Sequence, residues 1–475
     1  MPTPIKPLFD FSPFLEERDV TLPLIRSFAE HETFRSASVE ELELDNDFYR
    51  RPLRPEDLDF LQFKKAIKPE SVSRLPSLAS NRILLCVNEI AFARFPNSID
   101  AAERKRFEDF YSDRHQILAA RIRPFLENYA FDYLSKDGSG ATSVSAHLAG
   151  LQNLKTQEEQ FWSGVFAHLT RHNYLQQGLR FILIQKWCLL AGMRAAVARA
   201  SACGYFDFLP PAERPAYAKA TQHDALLAAL AEMCGVTRRP HSYWQFYLPT
   251  SIAKCNLVYA LASRPDRAMA LYGAVMAMET EWLSFVEAVQ RACPHIALDG
   301  RFSGRHEFTA DHLFTRFERA LQTSKASFGS DGLERVGQGI DAAQILSGRA
   351  RWDLGEQLKW LSSIEDYCRF AREVDVRIQN ECPDIDRETF VEPREMCSTT
   401  HVHNDHRLVV IESGDMLFWG NLGMQLQMKA GDMVLIPDGR LHGSTVVSAD
   451  CTYHQPIIPD AWFASLSREI TAPIA

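Results

Sequence analysis

Apolar residues recur at three- and four-residue steps through most of the first 380 positions, the period of amphipathic helices, and the period then shortens to that of strands. The clearest helical run is Ala101 to Leu134, where Phe107, Phe110, Tyr111, Ile117, Leu118, Ile122, Phe125 and Leu126 mark one face and Asp100 is placed to cap it. Helices continue from 145 to 325, punctuated at Leu209-Pro-Pro211, Arg238-Arg-Pro240, Leu248-Pro249, Arg264-Pro265 and between Pro294 and Gly304. Residues 323–350 hold Gly329, Gly332, Gly337, Gly339 and Gly348, which predict an irregular connector. Another helix is expected from 354 to 380, with Leu358, Leu361, Ile364, Tyr367, Phe370 and Val374 on one face. After Cys382-Pro383, β-rich runs at 399–403, 408–412, 416–419, 424–428, 433–436, 443–447 and 452–458 predict a barrel or sandwich of seven short strands.

The reading is thus a multidomain α+β protein, and 475 residues suit two to three domains. The boundaries fall into a helical N-terminal region 1–135, a helical domain 140–325 after the linker that begins Lys136-Asp-Gly-Ser-Gly, a connector with its helix 326–380, and a β-domain 383–475. Residues 1–50, rich in proline, acids and aromatics, are expected to wrap the surface. A net charge of −9 with no basic stripe argues against a nucleic-acid partner. The most apolar run, Leu179 to Met193, is interrupted by Arg180, Gln185 and Lys186, and reads as too short and too polar to span a membrane. The N-terminus does not read as a signal peptide, and ten scattered cysteines without a C-x-x-C pair read as reduced thiols of a cytoplasmic protein.

Histidine changes this picture. Side chains alternate along a strand, so the imidazoles of His401-Val-His403 point the same way. In Gly431-Asp-Met-Val-Leu-Ile-Pro437-Asp-Gly439-Arg-Leu-His442, a Pro-x-Gly turn stops an apolar strand and aims His442 back inside. Three neutral imidazoles suit Fe, Zn, Cu or Ni. His406 falls on the face opposite His403 and reads as a surface residue.

The helical middle turns charged residues inward. Glu279 has Val275, Met276, Trp282 and Leu283 as its helical neighbours, so its carboxylate requires a metal, a partner or a raised pKa. Glu281, on the far side, is expected to be solvated. His223 shares a face with Leu226, Leu227 and Leu230, and His306, Glu307, Asp311 and His312 cluster where a helix resumes. Carboxylates and histidines on facing helices build di-iron sites, and ordinary helix-surface or N-cap roles are the alternative for each residue.

The histidine spacing resembles the cupin signature, H-x-H with G-x5-P-x-G-x2-H, matched at Gly431, Pro437, Gly439 and His442. Arg407 stands where cupins often carry a ligand Glu, and Val446 where an Asn often follows. The resemblance implies a C-terminal cupin β-barrel with one Fe(2+) on His401, His403 and His442, as in thiol dioxygenases, and Arg407 placed to bind a substrate carboxylate. The helical order resembles the heme-oxygenase-like di-iron oxidases: His223 precedes Glu279 by 56 residues, and Glu213 stands ten before His223 as the first-helix carboxylate. That family's last helix carries a His, an Asp four on and a His three further; here Asp311 is flanked at those distances by Glu307 and Phe314. Two readings stay open: His306 and His312 supply the imidazoles in a shifted register, or the domain lacks part of its site.

Together, from roughly 140 to 475, the chain resembles the streptozotocin-type nitrosourea synthases and related N-oxygenases. The resemblance implies N-hydroxylation of an amino-acid-derived guanidine, amine or aminoazole at a helical di-iron site. Oxidative rearrangement or cleavage at the cupin iron would follow. O2 would be co-substrate, with an external electron donor, no membrane partner and a homodimer formed through the N-terminal helices. The alternatives are a cupin-only small-molecule dioxygenase with a structural helical domain, and a metal-binding sensor without turnover.

Overall fold

The computed structural model describes residues 6–29, 78–91, 101–135, 143–217, 222–237, 243–294, 309–394, 397–403, 405–421 and 423–466. Its helices are α1 (Arg18–Ala29), α2 (Leu78–Ala91), α3 (Ala101–Phe110), α4 (Asp113–Phe131), α5 (Val144–Arg171), α6 (Leu175–Leu183) and α7 (Leu190–Ala202). They continue with α8 (Gln222–Met233), α9 (Pro249–Ala262), α10 (Ala268–Ala292), α11 (Ala310–Ser362), α12 (Ile364–Glu381) and α13 (Asp460–Leu466). The C-terminal part is an antiparallel sheet, so the chain is α+β.

Part of the N-terminal segment enters the core instead of wrapping the surface. Phe9 packs on Phe131 with ring centroids 5.1 Å apart, and Phe11 meets Phe125 edge-on at 5.1 Å. The helix read from Ala101 to Leu134 is two helices, because Ser112 adopts an extended conformation (ψ 156°) and starts α4; Ile117 then lies 64% exposed, off the buried face. Its proposed cap, Asp100, lies outside the described residues. Helix α2 is anchored to α9 by polar bonds: Asn88 donates to Asn256 at 3.0 Å and the Tyr259 hydroxyl donates to Glu89 at 2.6 Å.

The prolines act as punctuation. Pro211 and Pro265 open short 3-10 turns, and Pro249 occupies the first turn of α9, where its missing N–H costs nothing. Between α6 and α7 a π-turn, Ile184–Cys188, inserts an extra residue into an otherwise continuous helical segment. That segment, Leu175–Ala202, is longer than the Leu179–Met193 run and is long and apolar enough to cross a membrane by length and composition alone. Within the fold 67% of its most apolar stretch is buried.

The expected irregular connector is helix. Residues 323–350 lie inside α11, interrupted at Gly329 (φ 69°, ψ −151°). Gly339 serves packing: a Cβ on it would stand 1.8 Å from the Ala270 carbonyl oxygen, and on the facing helix α10 one on Gly273 would stand 1.9 Å from that of Val336. Helices α10 and α11 are therefore in backbone contact, and glycine's helical penalty of about 1 kcal/mol is offset by that approach.

The strands are β1 (Thr389–Pro393), β2 (Cys397–His401), β3 (His406–Asn421), β4 (Met424–Lys429), β5 (Met433–Ile436), β6 (His442–His454) and β7 (Ile457–Ile458). Two pairs of expected strands are single long strands, β3 and β6, and β1 was not expected. Gly414 (φ 82°) absorbs a register shift inside β3 and lets it bend. The first part of β3 pairs with β5 and its last part with β4, while β6 begins against β2 and ends against β1. The sheet thus folds into two halves sharing β3 and β6. The nine described cysteine side chains are free thiols.

The α10–α11 contact makes a direct prediction. Gly273→Ala and Gly339→Ala should each destabilise the protein by about 1–3 kcal/mol or more in denaturant melts, since backbone atoms cannot rotate away. Gly150→Ala, whose Cβ would stand 3.6 Å from Gln344, should be neutral or stabilising by up to about 1 kcal/mol.

Candidate metal centre

His401 and His442 are cross-strand partners, the last residue of β2 facing the first of β6. His403 lies two residues beyond the end of β2, and its carbonyl accepts the Gly439 N–H at 2.7 Å. The turn that carries Pro437 and Gly439 (φ 72°) therefore holds the His403 backbone as well as delivering His442. The three ligand atoms all lie within 4.8 Å of one another. The ring centroids are 4.5 Å apart for His401 and His442, 4.7 Å for His401 and His403, and 5.0 Å for His403 and His442.

The donor set fits a metal ion. His442 donates from Nδ1 to the Arg440 carbonyl at 2.8 Å, which leaves a lone pair on Nε2, and this buried atom has no hydrogen-bond partner. The Nε2 atoms of His401 and His403 approach to 3.2 Å. Metal–nitrogen distances of about 2.0–2.1 Å place neighbouring ligand nitrogens about 3.0–3.4 Å apart, so this pair stands as two ligands of one ion would. Burial, then the neighbouring rings, hold His403 and His442 well below the ordinary imidazole pKa, so both are neutral and able to coordinate. Phe418 stacks on His442 at 5.6 Å and Trp360 meets it edge-on at 6.4 Å, walling that ligand off from water.

One face of α11 holds the segment that carries His442. Gln357, wholly buried, donates to the Leu441 carbonyl and accepts the Leu441 N–H, both at 2.9 Å. Trp360 donates to the Leu435 carbonyl at 3.2 Å. Arg440 donates to the Asp353 carbonyl at 3.2 Å and lies 3.8 Å from its carboxylate, which also accepts the Thr250 hydroxyl. On the other strand, Arg82 of α2 donates to the Thr400 carbonyl at 2.7 Å and to its hydroxyl at 2.9 Å, fixing the residue before His401. None of these supports was foreseen. The available signal was Asp353, Gln357 and Trp360 at helical i, i+4, i+7 spacing beside Leu354, Leu358 and Leu361.

Two expected roles are revised. His406 is buried, not on the surface: its Nδ1 accepts the Asp438 N–H at 3.1 Å and its ring stacks on Phe463 at 3.9 Å. Arg407 is committed to Glu388, to the Gln455 carbonyl at 3.2 Å and to Asp405 at 3.7 Å, which argues against a cation waiting for a carboxylate. Its position at the start of β3 gives it acidic neighbours, Glu388 and Asp405, that the motif does not specify.

In the helices the described candidates do not form a ligand cluster. Glu279 accepts the Tyr217 N–H at 2.8 Å and is ion-paired with Arg316, which supplies the countercharge a metal would otherwise bring. Burial raises the Glu279 pKa and Arg316 opposes it. The Glu213 carboxylate accepts the Thr323 hydroxyl at 2.9 Å. Asp311 and His312 are exposed in the first turn of α11. The His223 side chain, His306 and Glu307 lie outside what the structure describes. Glu281 is buried rather than solvated, paired with Lys254 and bonded to Ser347.

The fold and the site define a helical protein with a terminal antiparallel sheet that carries a three-histidine candidate metal centre. Among curated proteins, the nitrosourea synthase of Streptomyces achromogenes subsp. streptozoticus is 26% identical to it over 421 residues, covering 85% of this chain and 88% of that protein. The resemblance to streptozotocin-type nitrosourea synthases therefore extends along most of the chain. No protein-family model matches it.

Two predictions test the support. Gln357→Leu keeps all three imidazoles but unties Leu441, and should weaken metal binding about 10–100-fold in competition with a chromogenic chelator. Burial raises the Asp353 pKa from 3.8 to about 6. A carboxyl raised on folding is most favourable when protonated, so its stabilising contribution is complete below about 3.8 and is lost as pH rises to about 6. Asp353→Asn should remove this slope, so that wild type loses on the order of 3 kcal/mol relative to the variant between pH 4 and 6.5 in denaturant melts.

Proposed function

We propose that this chain is a non-heme iron, O2-dependent N-oxygenase that acts on an amino-acid-derived nitrogen substrate in natural-product biosynthesis, with iron on His401, His403 and His442. The observation that carries the reading is the buried, unpartnered Nε2 of His442 facing two further imidazoles. The similarity to a nitrosourea synthase supports nitrogen oxidation as the reaction class. We take the two-part sheet for a cupin and the helical region for a heme-oxygenase-like bundle, in keeping with the H-x-H and G-x5-P-x-G-x2-H spacing and the order of helical carboxylates.

Ferrous iron bound by three neutral imidazoles would supply one-electron chemistry with O2 and keep positions open for substrate. The residues present do the rest. The Arg440 carbonyl fixes the His442 tautomer, and Gln357, Trp360 and Arg82 hold the two backbone segments that bring the rings together. Phe418 and Trp360 exclude water from His442. Three neutral ligands bring no negative charge, so the centre favours an anionic substrate group such as a carboxylate.

A second point separates the two-site reading from the one-site reading. The Arg316–Glu279 ion pair favours a single redox centre at the triad, with the helices binding and shaping rather than oxidising. Anaerobic loading with ferrous iron should then give one iron per chain, lost in His401→Ala and His442→Ala together with substrate-dependent O2 uptake, and retained in Glu279→Gln. Loading of two further irons that disappear in Glu279→Gln would restore the di-iron reading. Iron retained by the histidine variants would overturn the triad.

A further inference from the structure

Inside the helical bundle a cavity of about 50 Å³ is lined by side chains from α5, the π-turn, α7, α9, α10 and α11. Its charged lining is Glu158, Lys186, Lys254, Glu281 and Arg351, and its apolar wall includes Phe161, Leu190, Met193, Met278 and Leu354, with the indoles of Trp162 and Trp282. The charges pair unevenly. Glu158 accepts Arg351 at 2.7 Å and the Trp162 indole N–H at 3.0 Å, which satisfies both carboxylate oxygens. Glu281 is taken by Lys254 and the Ser347 hydroxyl. Lys186 remains, and among the described residues its acidic neighbour is this same Glu281, at 3.7 Å, beyond hydrogen-bond reach. Three cations against two anions leave the cavity one positive charge in excess.

Lys186 is half-buried and shares its nearest carboxylate with a second lysine, so a further anion beside it is favoured, and both carboxylates here are already used. The π-turn puts Lys186 in this position. An inserted residue of that kind is itself unfavourable in a helix and recurs at functional sites. It is locked in place by Gln185, which donates to the Phe246 carbonyl at 2.6 Å and accepts the Leu248 N–H at 2.8 Å. Lys186 also lies over the Trp162 ring at 5.4 Å, so its ammonium borders both the indole and the void. At about 10–15 Å³ per water-sized group, the cavity of about 50 Å³ has room for roughly three to five non-hydrogen atoms.

We propose that this cavity binds a small aliphatic carboxylate, its oxygens against Lys186 and its carbon stem against the apolar wall. The site is separate from the three histidines, and the proposal does not depend on the function assigned to them.

The test uses the full chain with propionate as probe and propionamide as its uncharged isostere, followed by the fluorescence of Trp162 and Trp282 and by calorimetry. Propionate should bind saturably to the wild type, and at least tenfold more weakly to Lys186→Gln. Propionamide should bind at least tenfold more weakly than propionate. The melting temperature and the metal stoichiometry of Lys186→Gln should match wild type, which shows that the fold and the triad are intact. Equal binding of propionate and propionamide, or unchanged affinity in Lys186→Gln, overturns the proposal. So does binding that disappears in His401→Ala while persisting in Lys186→Gln, because the carboxylate would then sit at the triad. Saturable, Lys186-dependent binding in a protein whose triad holds no iron would uphold this site while the oxygenase reading fails.

Discussion

The candidate centre depends on a side-chain amide standing in for a strand. Gln357 presents one donor and one acceptor to Leu441, the pair of bonds a neighbouring β-strand would offer, but from the flank of a helix. Leu441 precedes His442, so that bond pair sets where the third imidazole begins. Both groups are wholly buried, and a missing partner would leave a desolvated polar atom worth about 1–3 kcal/mol. The strand segment therefore has little freedom to tilt, and the alignment of the three rings follows from helix packing as much as from the sheet.

The helical core is organised by charge balance. Glu127 meets Arg267, Glu158 meets Arg351, Asp224 meets Arg194, Glu279 meets Arg316 and Glu281 meets Lys254. Each pair removes the need for a metal at that carboxylate, since breaking a buried pair is far more costly than keeping it. This is why an inward-facing Glu279 on a helix was ambiguous as a signal: the requirement for a positive partner is the same whether an arginine or an iron fulfils it. The triad is different in kind, because three imidazoles converge on one point and the buried Nε2 of His442 has no hydrogen-bond partner.

The sequence was most legible where periodicity and turn chemistry agree. The H-x-H pair, the Pro437-x-Gly439 turn and the inward aim of His442 all follow from local rules, and they meet at one place because β2 and β6 are neighbours. Glycine misled where tertiary contact mattered: Gly337 and Gly339 read as a loop, but Gly337 makes room for the His147 ring and Gly339 lets α11 touch the backbone of α10. Glu281 misled for a related reason. Its position relative to Glu279 placed it opposite the apolar face, yet α10 is buried all round, so every face of it is a core face. Arg82 and Thr400 lie 318 residues apart, and no local pattern announces such a bond.

Helix α11 serves both the cavity and the metal centre, by different stripes. Ser347, Ala350, Arg351 and Leu354 line the cavity, whereas Asp353, Gln357 and Trp360 hold the sheet. At 100° per residue these stripes lie roughly 100° apart around the axis, and their centres are about 10 Å apart along it. The two stripes thus meet different neighbours, while position is shared: the part of α11 beyond Gly329 that carries both is held in backbone contact with α10 at Gly273 and Gly339. The glycine contact consequently constrains both sites at once, whereas the polar residues of each stripe act on their own site. That division allows one helix to line a charged pocket with one stripe and to hold the histidine-bearing strand with the other.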